Sequence, residues 1–209
     1  MSIPVSIDPM GTLGASQLPP GYTLLKCLVA HGTEYVDTGI TECVNFALEL
    51  DVNLSGGERI LGTGPDSPFP RVHVRTAEYG TCNFGFTSYS GVRGIAVFNR
   101  RVTYRLDPDA ISMLENGEVV KKLGWGTPGQ NNFTLASSIK LLASVYADGT
   151  VAPLPAKGKC YGAKAWSGTS LIMELVPART PGGEPVMYDL VGRVERPNIG
   201  TGNFGYETL

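Results

Sequence analysis

The cleanest alternation of apolar and polar positions runs from Val44 to Leu54. Val44, Phe46, Leu48, Leu50, Val52 and Leu54 fall on one side of an extended chain, and Asn45, Glu49, Asp51 and Asn53 on the other. A period of two with one apolar side predicts a strand that packs on one face and is wet on the other. The same period returns at Val72 and Val74 between Arg71, His73 and Arg75 and at Phe84 and Phe86, and Gly94 to Phe98 follows as a further strand. It returns again at Val102, Tyr104 and Leu106 between Arg101, Thr103 and Arg105, and at Ile139, Leu141, Ala143 and Val145. Upstream, Tyr22 to Val29 and Glu34 to Ile40 flank a His31-Gly32 turn. Asn116-Gly117 stands between Ile111–Met113 and Val119-Val120, a dipeptide suited to the positive φ angles of a tight hairpin turn.

Near the C-terminus the pattern predicts a further hairpin. Tyr161, Ala163 and Ala165 share a face, Ser167-Gly168-Thr169-Ser170 connects, and Leu171, Met173 and Leu175 alternate on the way back. Pro177, which lacks a backbone donor, is expected to end that strand, and Pro181-Gly182-Gly183 turns the chain into Val186-Met187-Tyr188. About a dozen strands result, spaced as in a sandwich, and no segment sustains the 3.6-residue period of a helix. Alternation with one polar face is what two antiparallel sheets packed face to face require. The fold class is therefore all-β, a two-sheet antiparallel sandwich.

Composition agrees with that architecture. Among 209 residues there are 27 glycines and 15 prolines, a load of turn formers that suits many short strands. Residues 1–20 hold four prolines and no periodic apolar face, and read as an extended N-terminal arm before a single domain over residues 21–209. Such an arm is either a disordered leader or a segment that orders on a neighbouring subunit. The net charge is −2 with no basic run, which argues against nucleic-acid binding. No stretch approaches the roughly 18 apolar residues of a membrane span. The first residues have neither the basic nor the apolar region of a secretory signal, so no export is expected and the sequons at Asn53 and Asn132 carry no weight. Cys27, Cys43, Cys82 and Cys160 are scattered among apolar patterns and read as buried free thiols.

Candidate chemistry is sparse. His31 and His73 have no second ligand at metal spacing, and no nucleophile motif is present, so neither metal nor cofactor is expected. Asp66, Asp107, Asp109 and Asp148 fall in loops without the run of a calcium loop, and read as turn formers. Gly200 to Gly205 spells G-x-G-x-x-G, but only four residues follow and no helix can open there; the segment reads as a terminal edge strand with its turn. Trp125, in a glycine-rich loop with Gln130, Asn131 and Asn132 close behind, is the best local candidate for carbohydrate: a ring to stack on and amides to bond hydroxyls. Its alternative is a ring capping the core. Trp166, at the end of a strand, is expected to pack.

Several short motifs, in order, resemble a known family. Leu18-Pro19-Pro20-Gly21-Tyr22 and Gly32-Thr33-Glu34-Tyr35-Val36-Asp37-Thr38-Gly39-Ile40 open the pattern. Lys159-Cys160-Tyr161, Val176-Pro177-Ala178-Arg179, Met187-Tyr188-Asp189 and Gly200-Thr201-Gly202-Asn203-Phe204 close it. Together they resemble the laminin-G-like, concanavalin A-like jelly-roll domains of phage virion proteins and gut-bacterial surface proteins. The resemblance implies a jelly roll without catalysis: a virion structural or decoration protein, possible contact with host or mucosal glycans, and assembly as a homo-oligomer or with other virion proteins through the arm. The alternative is a carbohydrate-binding module at a bacterial cell surface; the missing export signal favours the virion. β-Glucanases of related fold carry three alternating acids on one strand. Here Glu49 and Asp51 share a face, but the run continues Val52-Asn53-Leu54-Ser55 and the second glutamate of that E-x-D-x-x-E pattern is missing, which argues against catalysis.

Overall fold

The computed structural model describes residues 18–57, 59–63, 70–75, 80–85, 87–92, 98–124, 132–146, 148 and 150–209. Its strands are β1 (Thr23–His31), β2 (Val36–Asp37), β3 (Glu42–Val44), β4 (Phe46–Gly56), β5 (Arg59–Gly62), β6 (Arg71–Arg75), β7 (Gly80–Gly85), β8 (Thr87–Val92) and β9 (Arg101–Leu106). They continue as β10 (Ala110–Glu115), β11 (Glu118–Gly124), β12 (Asn132–Thr134), β13 (Lys140–Leu141), β14 (Lys157–Ser167), β15 (Ser170–Arg179), β16 (Pro185–Asp189), β17 (Val194–Arg196) and β18 (Gly205–Thr208). A ten-stranded sheet has the order β11-β10-β9-β4-β14-β1-β15-β16-β17, with β18 also on β1. A six-stranded sheet runs β2-β13-β5-β6-β7-β8, and β12 pairs with β3. The ladders are antiparallel. The molecule is an all-β antiparallel sandwich.

One hydrophobic core holds the sheets together. Leu48, Leu50, Val52, Val102, Tyr104 and Leu106 from the large sheet meet Ile60, Leu61, Val72, Val74, Cys82 and Phe84 from the smaller one, all at 1 % exposure or less. Phe84 stacks with Phe46 at 6.4 Å between ring centroids and meets Phe133 edge-on at 5.5 Å, so three sheets share one aromatic cluster. All four cysteines are buried and free. Burial pushes the thiols of Cys43, Cys82 and Cys160 up to about 12. A thiol reagent at mildly alkaline pH is therefore expected to label none of them rapidly in the native protein and all four in denaturant; fast native labelling would contradict this packing.

Several strand expectations need correction. The Val44–Leu54 alternation is cut at Asn45, whose φ of 44° turns the chain, so Val44 ends β3 at 48 % exposure while Phe46 opens β4 fully buried. Tyr161 does not share a face with Ala163 and Ala165. A register shift between Cys160 and Gly162 against β4 makes Tyr161 a bulge residue on the outer face. The hairpin after it needs only Gly168-Thr169, because Ser167 already pairs with Ser170. Pro177 does not end its strand: β15 continues to Arg179, and its edge changes partner there, from β14 at Leu175 to β1 at Ala178. Ile139 to Val145 is buried throughout but irregular, since Leu142 takes a φ of 67° and only Lys140–Leu141 form a strand. The Asn116-Gly117 turn is as expected, with φ of 50° and 82° between paired Glu115 and Glu118.

The Leu18–Tyr22 motif has a packing role. Leu18, Tyr22 and Leu24 lie on a second cluster formed by Val176, Ala178, Val186 and Tyr188, and the Tyr22 and Tyr188 rings meet edge-on at 5.2 Å. Residues 1–17 of the expected arm, the loop expected from Pro65 to Pro70 apart from Pro70, and Phe86 lie outside the described residues.

Candidate functional site

A polar recess lies where β1, β14 and β4 run side by side, and the turn after β1 shapes one wall. Glu34 is 2 % exposed, and its carboxylate is held by the structure of that turn. It accepts the His31 N–H at 2.6 Å, the Thr33 N–H at 3.3 Å and the Thr33 hydroxyl at 3.0 Å. Burial alone would raise its pKa; these hydrogen bonds outweigh burial and hold it below the ordinary value. The Gly200–Phe204 segment closes over the turn. Ile199 and Thr201 donate to the carbonyls of Tyr35 and Thr33, and Asn198 Oδ1 accepts the Tyr35 N–H at 3.1 Å. Gly202 lies so close that a Cβ there would sit 2.0 Å from Glu34 Oε1. Of the segment expected to be a terminal edge strand with its turn, Gly200–Phe204 is the turn and acts as a clasp, and the strand starts at Gly205 and pairs with β1.

Beyond the clasp is a cleft of about 500 Å³ lined by Val29, Ala30, His31, Asn53, Ser55, Asn99, Lys157, Gly158 and Lys159. Register brings them together: His31 is opposite Lys157, Val29 opposite Lys159, and Lys159 opposite Asn53. Gly158 forms the floor with a φ of +136°, and a Cβ there would lie 2.3 Å from the Asn53 carbonyl oxygen. Amide, hydroxyl, imidazole and ammonium groups over a glycine floor can bond hydroxyl-rich molecules, and the volume lies in the usual range for small-ligand sites.

The outer face continues from the cleft as a band of ion pairs and rings. Arg101 binds Asp51 through two nitrogens, at 3.0 and 2.7 Å, and its guanidinium carbon stands 4.0 Å from the Tyr161 ring centre. Arg105 bonds Glu49 at 2.6 Å and lies 5.5 Å from the centre of the Trp166 ring. Lys164 pairs with Glu174 at 3.0 Å. Trp166 is therefore a partly exposed member of this band, where the sequence led us to expect packing. Glu49 and Asp51, the two acids weighed for glycoside cleavage, are each tied to an arginine. Of the loop acids, Asp107 accepts the Asp109 and Ala110 N–H groups and Asp148 the Thr150 N–H, as turn formers do. Among the described residues no group of three or more His, Cys, Asp and Glu side chains converges as metal ligands would.

Trp125, Gln130 and Asn131 lie outside the described residues. Asn132 opens β12, exposed and opposite Val44. The cleft residues were not legible as a set, because Val29, His31, Asn53, Ser55, Asn99, Lys157 and Lys159 converge from four separate stretches of chain. The one local signal was the Asn53-Leu54-Ser55 alternation, which places both polar residues on the wet face.

No protein-family model matches the chain, and no curated protein matches it. Among solved structures, it is similar to a Bacteroides ovatus protein proposed to bind carbohydrate, with a TM-score of 0.55 at 17 % identity. The likeness covers 90 % of this chain and 60 % of that one, so the chain spans less than two thirds of its neighbour. At that identity the likeness is one of fold.

Proposed function

We propose that the protein is a non-catalytic carbohydrate-binding β-sandwich, and that the saccharide lies in the β1–β14–β4 cleft. The observation that carries this reading is the cleft itself: two asparagines, a serine, a histidine and two lysines converge on a recess of ligand size. Sugars present a high density of hydroxyls, which such donors and acceptors satisfy. The ion-paired state of Glu49 and Asp51 supports the absence of glycoside cleavage.

Two settings suit such a module. The ordered motifs from Leu18 to Phe204 support a laminin-G-like domain of a phage virion structural or decoration protein, with self-association or virion contacts through residues 1–20. The proposed carbohydrate binding of the Bacteroides ovatus neighbour supports equally a module of a bacterial surface protein. A glycan array probed with the full chain is expected to give a saturable hit that Asn99→Ala weakens about tenfold, the loss of one or two hydrogen bonds to a ligand. No hit, or a hit unaffected by Asn99→Ala and by Asn53→Ala, would overturn the cleft assignment.

A further inference from the structure

The charge of the cleft narrows what it would hold. Among the described residues its lining contains no carboxylate, while Lys157 and Lys159 both open into it. Lys159 and Lys26 share the single carboxylate of Glu207, at 2.6 and 3.4 Å, which leaves one positive charge in excess. Lys157 makes no ion pair among the described residues. Glu34 stands behind His31, 3.6 Å from its Nδ1, but it is buried and its oxygens face the turn. On a chain of net charge −2, this corner is locally cationic.

The stem of Lys157, an exposed residue, runs beside the turn after β1. It crosses Gly32, where a Cβ would lie 2.7 Å from the lysine Cε and 3.1 Å from its Cγ. Gly32 has a φ of +101°, so both its conformation and its missing side chain serve this crossing. A side chain at position 32 would displace this stem from the cleft wall.

Resting on the carbohydrate reading, we infer that the cleft selects an acidic saccharide, with a carboxylate or sulfate group against Lys157, the lining lysine that Glu207 does not neutralise, and neighbouring hydroxyls on Asn53, Ser55 and Asn99. An ammonium bonds a sugar hydroxyl as well, but only an anionic group adds the attraction of opposite charges to that hydrogen bond.

Calorimetry on the full chain tests this with tetragalacturonate, its neutral methyl ester and a chondroitin sulfate tetrasaccharide. The acidic probes are expected to bind about tenfold tighter than the ester, consistent with one charge-assisted contact. That preference should vanish in Lys157→Gln, return in part in Lys157→Arg, and fade near about 1 M salt, where screening acts over roughly 3 Å. If the ester binds as tightly as the acids and Asn99→Ala still weakens it, the acidic preference is overturned while the cleft reading stands. If none of the three binds while the glycan array gives a hit that Asn99→Ala weakens, the acidic preference is overturned and the cleft reading stands; if the array is blank as well, both are overturned.

Discussion

Gly62→Ala is expected to leave the protein unable to fold stably. Gly62 ends β5 with a φ of +116°, paired with His73 on β6. A Cβ there would stand 1.9 Å from the Val72 carbonyl oxygen and 2.7 Å from the His73 Cα. Both obstacles are backbone of a strand whose Val72 and Val74 are fully buried, so neither can turn aside as a flexible side chain would. Moving β6 would pull apart the packed layer, and the loss should exceed about 4 kcal/mol, a large share of the roughly 5–15 kcal/mol that holds a domain folded. Urea unfolding followed by circular dichroism reads this directly. Gly168→Ala is the control, because its φ is +59° but nothing lies within 4 Å, and it should cost only about 1 kcal/mol. A Gly62→Ala protein within about 1 kcal/mol of the parent would contradict the β5–β6 register.

Glu34→Ala is expected to destabilise the protein by about 3 kcal/mol, by removing a buried acceptor from two backbone N–H groups and a hydroxyl. The same carboxylate gives a pH signature. Its folded pKa lies below the ordinary 4.5, so the unfolded chain binds its proton more readily. The stability it contributes is present above about pH 4.5 and is lost as pH falls through the lower folded value. Asp37 acts in the same sense below its ordinary 3.8: burial would raise it, but hydrogen bonds from Lys140, Ser138 and the Gly39 N–H outweigh burial. Stability measured against pH should therefore drop on acidification, and Glu34→Ala should show a shallower drop. An equal slope would place the acid sensitivity elsewhere.

These residues explain why the fold was legible in the sequence while the site was not. Glu34, Tyr188, Asp189 and the Gly200–Phe204 stretch carry the family resemblance, and each is structural. Asp189 is 2 % exposed and accepts the Glu174 and Val191 N–H groups, and Phe204 closes the core. Motifs of this kind specify closure of a sandwich and leave its ligand open. Alternation located β4, β6 and β9 because local sequence decides which residues face the core. It failed at Asn45 and Tyr161, where one positive φ and one bulge reset the faces. The cleft depends on the register among β1, β14 and β4, a relation between residues more than a hundred positions apart that no local pattern encodes.

The most direct test of the carbohydrate assignment is amide chemical-shift mapping of the isotopically labelled full chain during titration with tetragalacturonate and its methyl ester. We expect shifts concentrated at His31, Asn53, Ser55, Asn99, Lys157 and Lys159. Shifts confined to Trp125, Gln130, Asn131 and Asn132 would move the site to the glycine-rich loop and contradict the cleft, and no shifts with either probe would contradict carbohydrate binding there.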